Sequence, residues 1–494
     1  MTLVAEPQRP SLDLLGNIYR YYLVVNVLWI LRSSWIVYVL RKPFIETMKT
    51  IYLAIIAGNL GMMSYGLFFG WSSPSLPLLL QEDSPVPLTR QESAWVAAIQ
   101  TLGGSVGPLL FVHIVNVIGR KWSLLLTGIP GIVGWLMIAF ATSAWELYIA
   151  RFFHGLSSSC GYVVCMMYTG EISPASIRGL LTAALTVFGK TGVSFEWTIG
   201  PFLTVMELAM TSLSLSILFV VCTLWIPESP YHLMRRGRHQ EAIHTLAQLR
   251  GTTNVSEEAT AIEKSVELDL ANDTGLRELF CVSGNRKAII VVVTLVVVQQ
   301  WSGSMAIISY AQQILDTTKE NNGKYITMIL GAVQVVSTII GMCLVDRFGR
   351  RLLLIVSAFG TFVSTTLVGL FFYLQDRQFD VDNILLLPSI GTILYIVSYT
   401  LGLAAVPFTM ISEVFPTNVK ALGSTIAMFF CNFTSFCVTA SYPRIADQFG
   451  LYTSFWIFSA ISLAGVFFTY FYVPETKGKT LQEVQNQLHG RKLV

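Results

Sequence analysis

Charge is what this chain has least of. Charged residues make up 12% of its 494 positions, roughly half the share of an ordinary soluble domain. With 53% hydrophobic residues and a mean hydropathy of +0.61, the excess apolar surface needs lipid, which excludes a soluble fold. The net charge of +3 is too small to point to nucleic acid. The seven cysteines form no Cys-x-x-Cys pair and no cluster with histidine, so neither a disulfide framework nor a metal centre is indicated. No nucleophile–base pair, phosphate loop or cofactor fingerprint stands out, which argues against an enzyme. No basic-then-apolar run ending in small residues marks a cleaved signal peptide. The first long apolar run, Ile51 to Gly70, holds no acidic residue.

What is present is duplicated. Asn116-Val-Ile-Gly-Arg-Lys121 is echoed some 230 positions later by Asp346-Arg-Phe-Gly-Arg-Arg351. Glu171-Ile-Ser-Pro-Ala-Ser-Ile-Arg178 matches Glu413-Val-Phe-Pro-Thr-Asn-Val-Lys420, with acid, proline and base at equal offsets. Pro227-Glu228-Ser229 matches Pro474-Glu475-Thr476. Three echoes in the same order read as one half built twice.

Twelve apolar runs of roughly 20 residues, the length that crosses a bilayer, lie near 51–70, 93–115, 122–141, 145–168, 180–200, 204–226, 288–312, 326–345, 352–374, 385–411, 421–443 and 450–472. Backbone groups in lipid must bond within the segment, so these are expected to be helices. The expected fold is an all-α membrane protein of two pseudo-symmetric six-helix bundles, 51–226 and 288–473, joined by polar linker helices at 227–287. Residues 1–50 form an extension whose aromatic stretch 18–40, broken by Arg32, is expected to lie on the membrane. Residues 474–494 form a tail. Basic residues in the linker and in the loops with Arg120, Arg178 and Arg350 place that side, and both termini, in the cytoplasm. Asn254 and Asn272 begin glycosylation sequons that this orientation leaves bare.

The duplicated loops bring opposite charges to one membrane face: Arg120, Glu171, Arg178 and Glu228 in the first half, Asp346, Arg350, Arg351, Glu413, Lys420 and Glu475 in the second. Arginine and carboxylate form two-pronged bonds, so these groups are expected to act as a salt-bridged gate. In the mid-membrane, Gln299, Gln300, Gln334 and Asn432 are costly unless they bridge helices or line a site. Lys190 and Glu196 in the fifth run stand six residues apart and cannot pair.

Together, Asp346-Arg-Phe-Gly-Arg-Arg351, Tyr168 to Gly179, Pro227-Glu-Ser-Pro230, Gln299-Gln-Trp-Ser-Gly303 and Pro474-Glu-Thr-Lys-Gly478 resemble the sugar-porter branch of the major facilitator superfamily, over residues 51 to 480. Within it the likeness is to insect facilitated trehalose transporter-like proteins. The resemblance implies the major facilitator fold, a plasma-membrane location and a small sugar as substrate, trehalose or a hexose such as glucose, with lipid the only other partner. It implies sugar contacts at Gln299, Gln300, Tyr310, Gln334, Phe408, Asn432 and Thr186. Glu196 is expected to neutralise Arg151 toward the outer side as a charge pair. Met305, Phe436, Val117 and Tyr231 depart from the family's usual residues. Proton-linked members carry an acid in the first span opposite the counterpart of Arg151. Its absence here favours facilitated diffusion by alternating access over a proton symporter. A sugar sensor that does not transport is the other alternative.

Overall fold

The computed structural model describes residues 49–271, 276–317, 323–479, 483–485 and 487. The extension with its 18–40 stretch, the Asn272 sequon and the last residues of the tail lie outside them.

Among the described residues there is helix and no strand. The first bundle comprises α1 (Lys49–Gly70), α2 (Ser72–Leu79), α3 (Arg90–Ile118), α4 (Arg120–Ala139), α5 (Ala144–Ile172), α6 (Arg178–Ile199) and α7 (Val205–Trp225). Four short helices follow: α8 (Pro230–Arg235), α9 (His239–Arg250), α10 (Ser256–Ala271) and α11 (Leu276–Cys281). The second bundle comprises α12 (Ser283–Trp301), α13 (Ser304–Asp316), α14 (Gly323–Phe348), α15 (Arg350–Asp376), α16 (Leu387–Leu401), α17 (Val406–Val414), α18 (Thr417–Phe449) and α19 (Leu451–Tyr472).

Three pairs, α1/α2, α12/α13 and α16/α17, are single crossings interrupted part way, so each bundle has six crossings. Ten of the crossings are long and apolar enough to span a membrane by length and composition alone. The remaining two, α5 and α6, are 29 and 22 residues long. Their apolarity is diluted by Arg151, His154 and a serine run in α5 and by Lys190 and Glu196 in α6. Both pack inside the first bundle, α5 against α3 and α4, α6 against α1.

The crossings alternate in direction, which gives the bundle two ends: the linker end, carrying α8–α11, and the far end. At the far end α3, α5 and α7 each start with a reciprocal cap, Thr89 with Glu92, Ser143 with Glu146 and Thr204 with Glu207. Such boxes satisfy amides that the first helical turn leaves bare. The linker has its own small core of Leu233, Met234, Ala242, Leu246, Val255, Ala259, Ile262 and Val266. It is moored to the first bundle by Arg250, whose Nη1 donates to the Ile172 carbonyl at 2.8 Å.

The halves meet along three seams, α3 with α18, α6 with α14 and α2 with α13. At the far end they are joined by an Arg90–Asp447 ion pair at 3.0 Å, by the Arg444 guanidinium 5.7 Å over Trp95, and by the Gln312 amide donating to Ser73 Oγ at 3.1 Å. Deeper in, two glycines make room for side chains of the opposite half. A Cβ on Gly331 would stand 2.8 Å from Ser194 Oγ, and one on Gly104 2.6 Å from Asn432 Oδ1. At the linker end, by contrast, the described ion pairs each lie within one half or within the linker.

Candidate substrate chamber and its charged latches

The duplicated loops build the same device twice. In the first half, Gly119 ends α3 and starts α4 at φ +94°, ψ 173°, a region open only to glycine. The turn aims the first amides of α4 at Glu228, which accepts from the Arg120 amide at 2.7 Å and the Lys121 amide at 3.3 Å. A carboxylate here caps the positive end of the helix. The Arg120 side chain reaches back to Glu171, with Nε at 3.1 and 3.0 Å and Nη2 at 2.9 Å from the carboxylate oxygens, and Ser229 Oγ donates to the same carboxylate.

The second half repeats this contact for contact. Gly349 sits at φ +88°. Glu475 accepts from the Arg350 amide at 3.0 Å and the Arg351 amide at 3.1 Å. Arg350 pairs with Glu413, its Nη2 at 2.9 Å, and Thr476 Oγ1 donates to Glu413 at 2.5 Å. Each latch therefore ties three chain segments of its own half together. Among the described ion pairs, neither latch crosses between halves.

Three expected gate residues fall elsewhere. Arg178 donates to the Ser173 carbonyl at 3.3 Å and not to Glu171, because it begins α6 beyond the turn that carries the acid. The Arg351 side chain turns onto α19, donating to the Tyr470 carbonyl with its guanidinium 5.5 Å over that ring; only its amide joins the latch. Lys420 occupies the first turn of α18. The Asp346 side chain lies outside the described residues.

The two capping carboxylates differ. Burial raises the pKa of Glu228 above the usual carboxylate range, against the pull of the Ser229, Arg120 and Lys121 amides. Burial pushes Glu475 up too, but the Lys477, Arg350, Arg351 and Thr476 amides outweigh it and hold it below that range. His232, in contact with Arg120 at 3.1 Å, is pushed down to about 4 by burial and then by Arg120, Arg236, Arg235 and Arg238. Since the opened chain takes up a proton near pH 6.5 that closed His232 refuses, the first latch loses stability as pH falls from about 6.5 to about 4. Glu228 acts in the opposite sense as pH falls toward its raised pKa. The thermal midpoint of the wild type should therefore drop more between pH 7.5 and 5 than that of His232→Gln, which keeps an acceptor for Arg120 without the titration.

Midway between the ends, the broken crossings of the second half converge. Gly303, at φ +99°, separates α12 from α13, and Gly402 to Ala405 separate α16 from α17. A break frees carbonyls that lipid could not satisfy, so it is tolerated only against protein or a cavity. Gln299 answers it: its Nε2 donates to the Leu403 carbonyl at 2.7 Å and the Ala404 carbonyl at 3.2 Å, while its Oε1 is buried with no partner. Gln300 donates to Cys431 Sγ at 3.2 Å and accepts from Ser304 Oγ at 3.1 Å. Gln334 on α14 is fully buried with both amide atoms unpartnered. Asn432 on α18 is half-buried, its Nδ2 bonded to the Met428 carbonyl and its Oδ1 toward Gly104. Thr186 lies on α6, in the first half, where it is half-buried. Phe408 on α17 and Met305 on α13 are half-buried hydrophobics.

The structure thus brings Gln299 to the freed carbonyls of the α16/α17 break and Gln300 to Cys431, the residue beside Asn432, while Thr186 stands in the other half. Tyr310 stands nearer the far end, stacked on Tyr442 at 5.2 Å and bonded to the Thr439 carbonyl at 3.4 Å, in a packing position. Tyr162, Cys431 and Tyr399, the last facing Ser304 and Gln299, were not singled out from sequence. Each lies in an apolar run where a lone tyrosine or cysteine reads as core. Their one signal is a helical register that sets Tyr162 toward the gap.

The expected Arg151–Glu196 pair does not form among the described residues. Arg151 is fully buried on α5, where carbonyls and amides reach it first. It donates to the Phe68 carbonyl at 2.7 Å, Ser72 Oγ at 2.7 Å, the Val96 carbonyl at 3.3 Å and Gln100 Oε1, with Trp71 4.9 Å from its guanidinium carbon. Glu196 on α6 accepts from Ser212 instead, leaving Oε2 unpartnered.

Two bundles of six crossings in the same orientation, meeting along three seams and each carrying the same charge cluster at one end, define a membrane carrier of the major facilitator type. Residues 51–488 match the family model of the sugar (and other) transporters, and the chain belongs to that family. It is 32% identical over 447 residues to the facilitated trehalose transporter Tret1 of Polypedilum vanderplanki, covering 90% of this chain and 88% of that one. It is 31% identical to the Tret1 of Drosophila willistoni over 91% of this chain, where it spans 53% of the relative's length. In fold it is similar to the inward-open xylose transporter XylE from E. coli, with a TM-score of 0.74 at 21% identity over 88% of this chain and 99% of that one.

Proposed function

We propose that the chain carries a carbohydrate across the plasma membrane by alternating access, without a coupled ion, and that the amide-lined gap is where the sugar sits. The observation that carries this reading is the set of buried amides in the second half with hydrogen-bonding capacity to spare: Gln334 at both ends and Gln299 at Oε1. An unsatisfied buried amide costs about 1–3 kcal/mol, and ring hydroxyls are donors and acceptors of the right size to relieve it. Phe408, half-buried on the adjacent half-helix, offers an apolar face.

The cross-half contacts sit at the far end and at mid-depth, while the described ion pairs of the linker end stay within halves. That pattern fits a carrier open toward the linker end. With the linker in the cytoplasm this is the inward-facing form, and Asn254 stays unglycosylated; sugar found on Asn254 in cells would reverse the orientation. The first crossing carries no acid, which supports facilitated diffusion of the kind the relatives' names describe, with trehalose or a hexose as the starting candidates.

The test is radiolabelled uptake in oocytes with a panel of trehalose, glucose, fructose, a polyol and an acidic hexose. Saturable flux of at least one, insensitive to uncouplers, is the expected result. Binding with no flux of any of them would favour a sugar sensor, a reading that Met305, half-buried beside Ser304 without a hydrogen-bonding group, keeps in play. Flux collapsing with an uncoupler would favour proton symport.

A further inference from the structure

One charge near the chamber has no role in the account so far. Thr186, Lys190 and Ser194 follow one another at four-residue intervals on α6 and so share a face, one turn apart. Thr186 stands one turn toward the linker end, and Ser194, one turn the other way, packs beside Gly331 on α14 at the seam. Lys190 therefore stands where the chamber narrows toward the seam. On α14, which runs the opposite way, Gln334 is three residues toward the linker end from Gly331, level with Lys190 across the gap. The Lys190 side chain is partly accessible there.

Among the described residues no carboxylate pairs with it. The one acid in the same helix, Glu196, is six residues on and is held by Ser212; Glu171 is consumed by Arg120. Snorkelling offers no relief, because Lys190 is twelve residues from the start of α6 and nine from its end, roughly 18 and 14 Å at the rise of an α-helix. An ammonium is a compact, strongly hydrated charge, and an ionisable group inside a membrane protein calls for a partner. Among the described residues no acid is placed against Lys190, and a carboxylate on the ligand would supply the counter-charge.

We infer that the carried carbohydrate bears a carboxylate, a sugar acid, and that Lys190 supplies its counter-charge and sets the preference for it over neutral sugars. The inference rests on the chamber being the carbohydrate site and changes only the class of sugar. A single carboxylate matches the single cation. A phosphorylated sugar, at about −1.5 to −2 charges near pH 7, would leave negative charge buried without a partner, since the donors of Arg151 are already engaged. Carriage of a sugar acid without a coupled ion also moves net charge, so the flux responds to membrane potential.

The experiment uses the full chain in proteoliposomes and measures influx of labelled glucuronate, glucose and trehalose at equal concentration. It compares the wild type with Lys190→Gln, Lys190→Arg and Gln299→Ala, each checked for an intact elution profile. The expected result is wild-type glucuronate influx at least tenfold above that of either neutral sugar and accelerated by an inside-positive potential. Lys190→Arg keeps the preference and Lys190→Gln reduces the ratio to one or below, while Gln299→Ala stops all three. Faster neutral than acidic influx in the wild type, or an unchanged ratio in Lys190→Gln, overturns the sugar-acid inference and leaves the carrier reading standing if Gln299→Ala still stops flux. Full flux in Gln299→Ala, or no influx of any of the three in the wild type, overturns both.

Discussion

Gln299→Ala is expected to cut carbohydrate flux at least about a hundredfold while leaving the protein folded enough to reach the membrane. Two losses add. The substitution removes the buried Oε1 that the proposed site offers to a sugar hydroxyl, and it strips the Leu403 and Ala404 carbonyls of their shared donor. Each unsatisfied buried group costs about 1–3 kcal/mol, and about 2.7 kcal/mol in the transport barrier corresponds to a hundredfold. Gln300→Ala is the natural comparison. Its amide spends itself on Cys431 and Ser304 within the same half, so its loss should be smaller. Initial-rate uptake of whichever panel sugar the wild type carries measures both. Flux in Gln299→Ala within threefold of wild type would remove the chamber from the account.

The second large effect is expected from Glu171→Ala. The Arg120–Glu171 pair is nearly enclosed, with side-chain exposures of 6% and 14%, whereas Arg350–Glu413 shows 14% and 24%. Removing one partner of a buried pair leaves an uncompensated charge, at a cost of about 3–5 kcal/mol. Among the described residues His232 would remain the side-chain hydrogen-bond partner of Arg120, and Ser229 would lose its acceptor. For a six-crossing half of this size that corresponds to a fall in thermal midpoint of roughly 10 °C. Glu413→Ala should cost less, because water already reaches its partner. A thermal-shift series on detergent-purified protein separates the two. Equal losses would mean that the two latches are energetically equivalent and that burial does not set their strength.

The contrast between those latches shows what the chain could and could not disclose before folding. The echoes at Glu171 and Glu413, and at Glu228 and Glu475, were legible as a repeat, and acid–base composition pointed to pairing. That Glu228 and Glu475 would serve the backbone amides of the next helix was not legible, because the geometry depends on Gly119 and Gly349 in a conformation no side-chain pattern announces. The break between α16 and α17 was legible in kind, since Gly402 and Pro407 interrupt that apolar run. That Gln299 would be the group to satisfy the freed carbonyls was not, since this needs two crossings a hundred residues apart to meet. Arg151 misled for a related reason. An arginine in an apolar run suggests a carboxylate partner, and the carbonyls of Phe68 and Val96 that hold it are invisible to residue type.

The glycine contacts at mid-depth have a consequence for how fast such a molecule can reorient. Where α6 meets α14 and α3 meets α18, each contact is a single small polar side chain, Ser194 or Asn432, seated against Gly331 or Gly104. A tilt at those surfaces has only one short side chain to lift out at each glycine. Friction is thereby displaced to the rim, where Arg90 and Asp447 are largely exposed and worth no more than about 1 kcal/mol together. The resting preference for one face should accordingly be shallow, and ionic strength on the far side should tune it.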